Sequence, residues 1–317
     1  MQASTSDGNE SPKRPWSDLP YDLLAQIVNL LLLVDLLCFR GVCKDWRCAS
    51  FKASAKCTII VVERLWFLLY GDNLHCTLYN PLEERKYTMN IPELDGMTCI
   101  ASLEGWLLVY GENSLFFFCP FSRAKINLPQ FPHNPQQYGH VAVFTSAPTS
   151  PDCTVGIICH IDESTMELNL LRRGDNKWDT QGHALDVKIG NIIGATFNKG
   201  MFYFLDSVDL VLGFVIGDKK WHSYVIVKLT PLTQSVDKLP FGIQRNHFQI
   251  NKLKEKLGLD EGDAVYTCGT IVQSNHQFNQ CIHNEELKAK GEMKMRRKGV
   301  YLQPRFFQIP PNQSWSL

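Results

Sequence analysis

A change of residue pattern near position 55 constrains this chain more than any other feature. Between residues 16 and 55, apolar residues recur at the spacing of amphipathic helices. Beyond that point, short runs rich in Val, Ile, Phe, Tyr and Trp alternate with Gly, Asp, Asn and Pro almost to the end. This second pattern is typical of an all-β sandwich, barrel or propeller. The chain therefore predicts an α+β multidomain protein, with a small helical module followed by a large β domain.

The helical module predicts three short helices. Asp18 is placed to cap the first helix, and Pro20 falls near its first position. A second helix can start near Asp35, and a third follows through residues 42–51. A module of about 40 residues is close to the lower limit for independent folding. Because the leucines at 30–33 cannot all be buried against two small neighbours, we expect a partner to cover part of this module.

Short repeated phrases favour a propeller among the all-β folds. GDNKW ending at Trp178 recurs as GDKKW ending at Trp221, 43 residues later. YNPLEERK recurs as FCPFSRAK, with Pro120 lying 39 residues after the matching Pro81. Spacings of 40 to 50 residues match the period of a four-stranded propeller blade. The alternative, that unrelated surface hairpins share a turn sequence, stays open at this point.

A third repeat and the length of the β region set the expected blade number. Gly105 and Gly200 each precede an aromatic strand, and they are 95 residues apart, close to twice the other spacings. At about 45 residues per blade, residues 56–317 predict about six blades. Within this domain, residues 273–298 are polar and predict an inserted loop or hairpin.

Composition excludes several classes of function. The 32 Lys+Arg balance the 32 Asp+Glu, so there is no long-range field to attract nucleic acid or a membrane. Residues 1–15 predict a polar, disordered tail without the apolar run of a secretory signal. The eleven cysteines form no CxxC pair, which favours reduced thiols, and Cys38, Cys43 and Cys48 are expected to be buried. We expect a cytoplasmic or nuclear protein.

No pattern in the chain predicts catalysis, a cofactor or a metal. His133 and His140 are seven residues apart, as are His276 and His283, but neither pair has neighbouring ligands at metal spacing. GxGxxG, Walker and GxSxG motifs are all absent from the sequence. A basic run at residues 288–298 holds six Lys or Arg residues and one Glu, and it indicates an import signal, a patch for an acidic partner or a solvated loop.

The helical module carries the most specific motif in the chain. The motif begins with a Leu-Pro pair. After this pair come, in order, an acidic residue, paired aliphatics, an Ile, an Asp-Leu-Leu and a Val-Cys-Lys-x-Trp-Arg. This order resembles the F-box over residues 16–55. The matching positions are Leu19-Pro20, Asp22, Leu23-Leu24, Ile27, Asp35-Leu36-Leu37, Val42-Cys43-Lys44 and Trp46-Arg47. The chain departs from the family at Leu32-Leu33, where members commonly have a second Leu-Pro.

The F-box resemblance implies a trihelical module that docks on the Skp-type adaptor of a cullin-RING ubiquitin ligase. A generic helical cap on the β domain is the alternative. Val42, Cys43 and Trp46 would either face the adaptor or pack inside the module. Carried over by position, the expected adaptor-binding residues are Leu19, Pro20, Leu23, Leu24, Ile27, Leu36, Leu37, Val42, Cys43 and Trp46.

The remainder resembles the C-terminal region of plant F-box proteins whose second domain is kelch-like or uncharacterised. The resemblance rests on GWLL at Gly105, LFFFCPFSRAKINLP from Leu115, the paired GDxKW, and YLQPRFF at Tyr301. It implies a kelch-like β-propeller over residues 56–317, although the chain lacks the adjacent glycines of a strict kelch repeat.

Together these resemblances imply a non-catalytic substrate-recognition subunit of an Skp-cullin-F-box ubiquitin ligase. The F-box would bind the adaptor and the propeller would bind a target protein, with no nucleic acid or membrane partner. An F-box scaffold that acts outside the ligase is the first alternative, and a propeller enzyme is the second. Candidate target-binding loops are residues 132–139, 146–152 and 273–298.

Overall fold

A computed structural model shows that the chain divides into two compact units, Met1–Ile60 and Val61–Leu317. The first unit is helical and the second is built of mainly antiparallel β-sheet, and the sequence predicts both the helical module and the β domain. The residues that the structure describes are 16–31, 33–50, 65–71, 75–81, 83–111, 114–133, 140–186, 188–207, 210–225, 265–273, 276–282, 297–307, 309 and 314–316.

The N-terminal unit contains the three predicted helices: α1 (Tyr21–Val28), α2 (Leu33–Val42) and α3 (Lys44–Ala49). The predicted capping by Asp18 is wrong, because Asp18 lies in a preceding 3-10 turn and Pro20 occupies the N-cap position. The Pro20 carbonyl accepts the first backbone hydrogen bonds of α1, and Pro20 supplies no side-chain cap. Proline suits this end of a helix because its fixed φ is compatible with the turn.

A small apolar interior holds the three helices together. Its residues are buried and come from all three helices: Leu24, Val28, Leu33, Leu36, Phe39 and Ala49. The Phe39 and Trp46 rings pack with their centroids 4.5 Å apart, and the Trp46 indole N–H donates to the Trp16 carbonyl at 3.2 Å. Trp46 therefore connects α3 both to α2 and to the 3-10 turn before α1.

Arg40 and Ser50 form a polar link across the end of the helical unit. The Arg40 guanidinium donates to the buried Ser50 hydroxyl at 2.7 Å, and that hydroxyl donates to the Arg47 carbonyl at 2.6 Å. Burial lowers the pKa of Arg40, and the nearby Arg47 charge acts in the same direction. The link satisfies polar groups that are partly withdrawn from water and ties the end of α2 to α3.

The β unit contains eighteen strands among its described residues. They are β1 (Trp66–Tyr70), β2 (His75–Asn80), β3 (Arg85–Asn90), β4 (Thr98–Leu103), β5 (Trp106–Gly111), β6 (Ser114–Phe118), β7 (Lys125–Asn127), β8 (His140–Phe144), β9 (Thr154–His160), β10 (Thr165–Arg172), β11 (Asp179–Ala184), β12 (Ile192–Asn198), β13 (Met201–Asp206), β14 (Leu210–Val215), β15 (Lys220–Val225), β16 (Val265–Gln273), β17 (His276–Ile282) and β18 (Arg297–Leu302).

Four antiparallel groups of four strands are the blades of a propeller-like domain. They are β18-β1-β2-β3, β4 to β7, β8 to β11 and β12 to β15, called here the first to fourth blades. The β16–β17 hairpin joins the first and fourth blades into one ten-stranded sheet. Residues 226–264 and 283–296 lie outside the described residues, so the expected number of about six blades stays a prediction.

The first blade combines strands from both ends of the β unit. β18 pairs antiparallel with β1 from Trp66 opposite Leu302 to Tyr70 opposite Lys298. The Lys298 ammonium donates to the Met97 carbonyl at 2.7 Å, just before β4. Lys298 belongs to the basic run for which the sequence allowed a solvated loop, but in the structure it is part of the sheet. The rest of that basic run up to residue 296 lies outside the described residues.

The repeated phrases of the sequence mark one structural position. They fall at the turn between the third and fourth strands of each of the four blades. YNPLEERK spans the β2–β3 turn, FCPFSRAK the β6–β7 turn, GDNKW the β10–β11 turn and GDKKW the β14–β15 turn. The propeller interpretation of the repeats is therefore confirmed, and their coincidence in unrelated hairpins is ruled out.

Gly105 and Gly200 occupy a second repeated position, the turn between the first and second strands of a blade. In the β4–β5 turn Glu104 has a φ of 52° and Gly105 a φ of 84°, and in the β12–β13 turn Lys199 has 46° and Gly200 has 82°. Two successive positive φ values are the signature of a type I′ hairpin turn. These turns belong to the second and fourth blades, which accounts for their doubled spacing.

Replacing Gly105 and Gly200 separately with Ala tests how the residues after β18 pack on the second blade. Both changes place Ala in the left-handed region, and we expect each to cost about 1–2 kcal/mol for that reason. A Cβ at Gly105 would also lie 2.8 Å from the Arg305 Cβ, whereas nothing lies within 4 Å of one at Gly200. Gly105→Ala should therefore lower the free energy of unfolding in urea by about 1 kcal/mol more. Equal losses would contradict this packing.

Each successive blade is tied to its predecessor by the same turn. In each case the side chain comes from the turn between the third and fourth strands of a blade, or from the residue next to that turn. It contacts the fourth strand of the preceding blade, or the residues that follow that fourth strand. The three pairs are Arg123 Nη1 with Glu93 Oε2 at 2.5 Å, Trp178 Nε1 with the Pro129 carbonyl at 3.2 Å, and Lys219 Nζ with Asp179 Oδ2 at 2.7 Å. These contacts connect four consecutive blades.

The two repeated tryptophans pack between neighbouring sheets, as the sequence predicts. Trp178 meets the Phe131 ring edge-on with centroids 5.1 Å apart. Trp221 stacks on His183 of the third blade, with centroids 4.6 Å apart and ring planes 7° from parallel, and meets Phe214 edge-on in its own blade. The apolar cluster between the third and fourth blades extends this contact.

The His183–Trp221 stack predicts acid sensitivity of the contact between the third and fourth blades. The His183 Nε2 atom is buried without a hydrogen-bond partner among the described residues, and burial lowers the pKa of this imidazole below 6.5. The unfolded chain therefore binds the proton more readily, and the contribution of His183 to stability is lost as the pH falls below about 6.5. His183→Phe should flatten this part of the dependence of unfolding free energy on pH, measured from pH 7.5 to 5. An unchanged dependence would contradict the assignment.

Candidate partner-binding surface

Exposed apolar side chains are concentrated in the helical unit. Seven large hydrophobic residues are exposed among those that the structure describes, and only Ile161 lies in the β unit. The seven, with their exposed fractions, are Trp16 (59%), Tyr21 (51%), Leu23 (46%), Ile27 (37%), Leu30 (82%), Val42 (57%) and Ile161 (37%). Among the residues whose burial the structure describes, the β unit therefore covers its large apolar side chains almost completely, whereas the helical unit does not.

Helix α1 has two apolar faces. Leu24 and Val28 are four residues apart and buried in the interior of the helical unit, where α1 packs against α3, with 1% and 2% exposure. Leu23 and Ile27 are also four residues apart, but they point outward on an adjacent face. Leu30 follows in the turn after α1, where its N–H donates to the Ile27 carbonyl at 2.9 Å. A helix that is apolar on both sides needs a second surface to cover it.

The structure divides the predicted adaptor-binding residues into exposed and interior sets. Pro20, Leu23, Ile27 and Val42 are exposed, and Leu19, Leu37 and Cys43 are partly exposed. Trp46 is partly buried against Phe39, which fits the interior role allowed for it.

Leu24 and Leu36 are interior residues of the helical unit, with exposures of 1% and 0%. Their contact with the adaptor stays a prediction, and the structure gives them a role inside the helical unit. Neighbouring positions on a helix point about 100° apart, so Leu23 and Leu24 lie on different faces of α1. A motif compares positions and does not separate inward from outward side chains, which is why the sequence placed them together.

Three exposed apolar residues lie outside the residue set carried over from the motif. Leu30 belongs to the leucine run in which the sequence indicated uncovered surface. Trp16 and Tyr21 flank the Leu-Pro pair, and no periodicity marked them as surface residues. Exposed aromatic residues of this kind are enriched at protein–protein interfaces. The outward apolar surface, defined as Leu23, Ile27, Leu30 and Val42, is thus accompanied by two exposed aromatic side chains.

The thiols of the helical unit are more exposed than expected. Cys38 and Cys48 are exposed and Cys43 is partly exposed, so the expectation that all three are buried is wrong. Within the part of the chain that the structure describes, no three His, Cys, Asp or Glu side chains are placed to hold a metal ion. Among those same residues, no helix has the length and apolar content of a membrane span.

The predicted target-binding loops are described only in part. Residues 146–152 form a compact turn in which the Ser150 N–H donates to the Ala147 carbonyl at 2.8 Å. His133, at the start of another loop, contacts the Glu167 carboxylate, while residues 134–139 lie outside the described residues. Residues 283–296 of the third loop also lie outside them.

Comparison with protein families agrees with both units. Residues 16–53 match the F-box domain, and residues 78–284 match the KIB1-4 beta-propeller. The second match covers more than half of the chain. The chain belongs to the KIB1-4 beta-propeller family. The F-box and propeller assignments made from the sequence are confirmed.

Relatives of this KIB1-4 family protein include F-box proteins of Arabidopsis thaliana. It is 32% identical over 222 residues to the F-box/kelch-repeat protein At1g57790, which covers 68% of this chain and 60% of that protein. It is 29% identical over 248 residues to the F-box/kelch-repeat protein At3g18720, covering 69% and 62%. It is 27% identical over 196 residues to the F-box protein At3g56470, covering 59% and 50%. The chain thus spans about half to three fifths of these relatives.

Proposed function

We propose that this chain is a non-catalytic substrate-recognition subunit of an Skp-cullin-F-box type ubiquitin ligase. The helical unit binds the Skp-type adaptor, and the β unit binds the protein to be ubiquitinated. The F-box match over residues 16–53 and the propeller match over residues 78–284 support this pairing of roles. The proposal extends what the family names imply to the residues of this chain.

The uneven distribution of exposed apolar side chains carries the proposal. Six of the seven large hydrophobic residues exposed in the described chain lie between Trp16 and Val42. Soluble domains rarely leave this many large apolar side chains exposed in one small region unless the region is an interaction site. In the described part of the β unit nearly all large apolar side chains are covered, so the exposed ones found there and in the helices are concentrated in the helical unit.

The proposed interface is centred on the outward apolar surface. Leu23 and Ile27 on α1 supply a stripe, Leu30 follows in the turn after α1, and Val42 is an exposed apolar residue at the end of α2. Pro20, Leu19, Leu37 and Cys43 border this surface as the less buried residues of the F-box motif. Leu24 and Leu36 act indirectly, because they belong to the buried interior in which α1 and α2 both pack on α3, and this packing fixes the direction of the stripe.

The mechanism we propose is positional. Binding the adaptor and the target at the same time turns their encounter into a local one, with a higher effective concentration of target lysines near the ubiquitin-carrying enzyme. The protein itself provides no nucleophile in this scheme.

Truncating the stripe on α1 tests the adaptor-binding proposal. The double variant Leu23→Ala with Ile27→Ala should weaken binding to a purified Skp-type adaptor by about 10- to 30-fold, because both side chains lose apolar area that the complex would bury. Binding is measured by calorimetry, and circular dichroism checks the helices. Because both residues are already exposed, the variant should stay folded.

Ile161→Ala is a matched control for this experiment. Ile161 and Ile27 have the same exposed fraction of 37%, but Ile161 belongs to the β unit. The control should bind the adaptor as the wild-type chain does. Equal affinity of the double variant and the wild type would reject the proposed interface. Adaptor binding without recovery of a cullin from cell extracts would instead point to a scaffold that acts outside the ligase.

A further inference from the structure

Arg173 in the third blade has a charge that no described residue neutralises. It lies in the turn between β10 and β11, and its backbone N–H donates to the Cys153 carbonyl at 2.8 Å. Its Nη1 atom is buried and makes no hydrogen bond in the described chain, and none of the ion pairs found there includes this residue. Desolvation of the guanidinium accordingly lowers the pKa of Arg173.

Ser146 places a second unsatisfied donor beside this guanidinium. Its Oγ atom is buried without a hydrogen-bond partner among the described residues, while its carbonyl accepts the Cys153 thiol at 3.1 Å. Cys153 lies between the two residues, because its thiol donates to the Ser146 carbonyl and its own carbonyl accepts the Arg173 backbone N–H at 2.8 Å. Burial raises the pKa of Cys153 to about 12, and the thiol therefore offers Arg173 no negative charge.

Trp315 forms one wall of this cluster. Its indole N–H donates to the Arg172 carbonyl at 3.1 Å, and its carbonyl accepts the Gly174 N–H at 3.2 Å. The Arg173 guanidinium carbon lies over the indole ring, 5.3 Å from its centroid. Trp315 is itself buried, but Ser314 and Ser316 on either side are exposed. The cluster therefore lies directly beneath the surface of the domain.

Asp152 and Asp175 lie close to Arg173 and Cys153 in sequence, but neither forms an ion pair with Arg173. The Asp152 carboxylate accepts the Ser150 hydroxyl, and Asp175 accepts the Arg172 backbone N–H at 3.3 Å. Arg173 as a whole is partly buried, and its Nη1 atom is the part withdrawn from solvent. A bound anion would satisfy this donor and also offset the charge, and a guanidinium binds carboxylate or phosphate oxygens particularly well.

We propose that Arg173 and Ser146, covered by Trp315, form a binding site for an anionic oxygen group, either a phosphate or a carboxylate. The guanidinium donates from Nη1 and the serine donates from its hydroxyl, while the indole excludes water from one side. The site lies at the end of the third blade beside residues 146–152, one of the loops predicted to recognise a target. It goes beyond adaptor binding and does not depend on it.

Thermal unfolding of the full chain in the presence of simple anions tests the site. Inorganic phosphate and acetate are titrated separately against chloride at constant ionic strength. At least one of them should raise Tm saturably by about 2–4 °C, because ligand bound only to the folded state stabilises it. The anion that saturates identifies the oxygen group. If neither does, the proposal is wrong and water alone occupies the cluster.

Two substitutions separate this site from general anion effects. Arg173→Gln should abolish the saturable rise, whereas Arg172→Gln, at the exposed neighbouring residue, should retain it. A rise that persists in Arg173→Gln, or that disappears equally in Arg172→Gln, would overturn the assignment. Ser146→Ala provides a second test if Arg173→Gln does not fold. It should raise the apparent Kd for the anion at least fivefold, and an unchanged Kd would reject the site.

Discussion

The pairing of β18 with β1 is the interaction on which the β unit depends. These strands lie at opposite ends of the unit in sequence, yet they are adjacent in the first blade over five residue pairs. Without β18 the Phe67 ring would lose the close contact with Gly299, where any side chain would collide with it. Lys298 then reaches the residues just before β4 and connects the completed first blade to the second.

A second constraint acts between blades. The turn between the third and fourth strands of a blade contains a residue with a positive φ. At or next to this turn, a side chain contacts the preceding blade. Glu84, Arg123 and Lys219 have positive φ values in three blades, and Gly174 has one in the third. The contacts differ in chemistry, since one is an indole hydrogen bond and two are ion pairs. What repeats is the geometry, and this explains why the sequence repeats are short and imperfect.

Much of this architecture was predictable because it rests on local patterns. Turn residues and hydrophobic periodicity indicated the three helices, the blades and the tryptophans between sheets, and the F-box motif indicated the partner-binding unit. The direction of Leu24 and Leu36 was not predictable, because a motif contains no information on which face of a helix is buried. Contacts between distant residues, such as Trp315 with Arg172, leave no periodic trace in the sequence.

The stripe on α1 and the cluster at Arg173 differ in how far the sequence predicts them, because only the stripe rests on a local pattern. The outward stripe of α1 follows from helical spacing once the buried face is known, so the sequence came close to it. The cluster at Arg173 joins a loop, a turn and a residue near the end of the chain, and each part is unremarkable by itself. Only the tertiary fold shows that a guanidinium, a hydroxyl and an indole share one place.

The position of β18 late in the chain also has a consequence during protein synthesis. Helices α1 to α3 leave the ribosome first and have all of their mutual contacts available. The first blade stays incomplete until β18 emerges, because Phe67 and Leu69 on β1 lack β18 as one of their neighbouring strands. A nascent chain can therefore complete the contacts among its three helices while the first blade still lacks the strand that closes it.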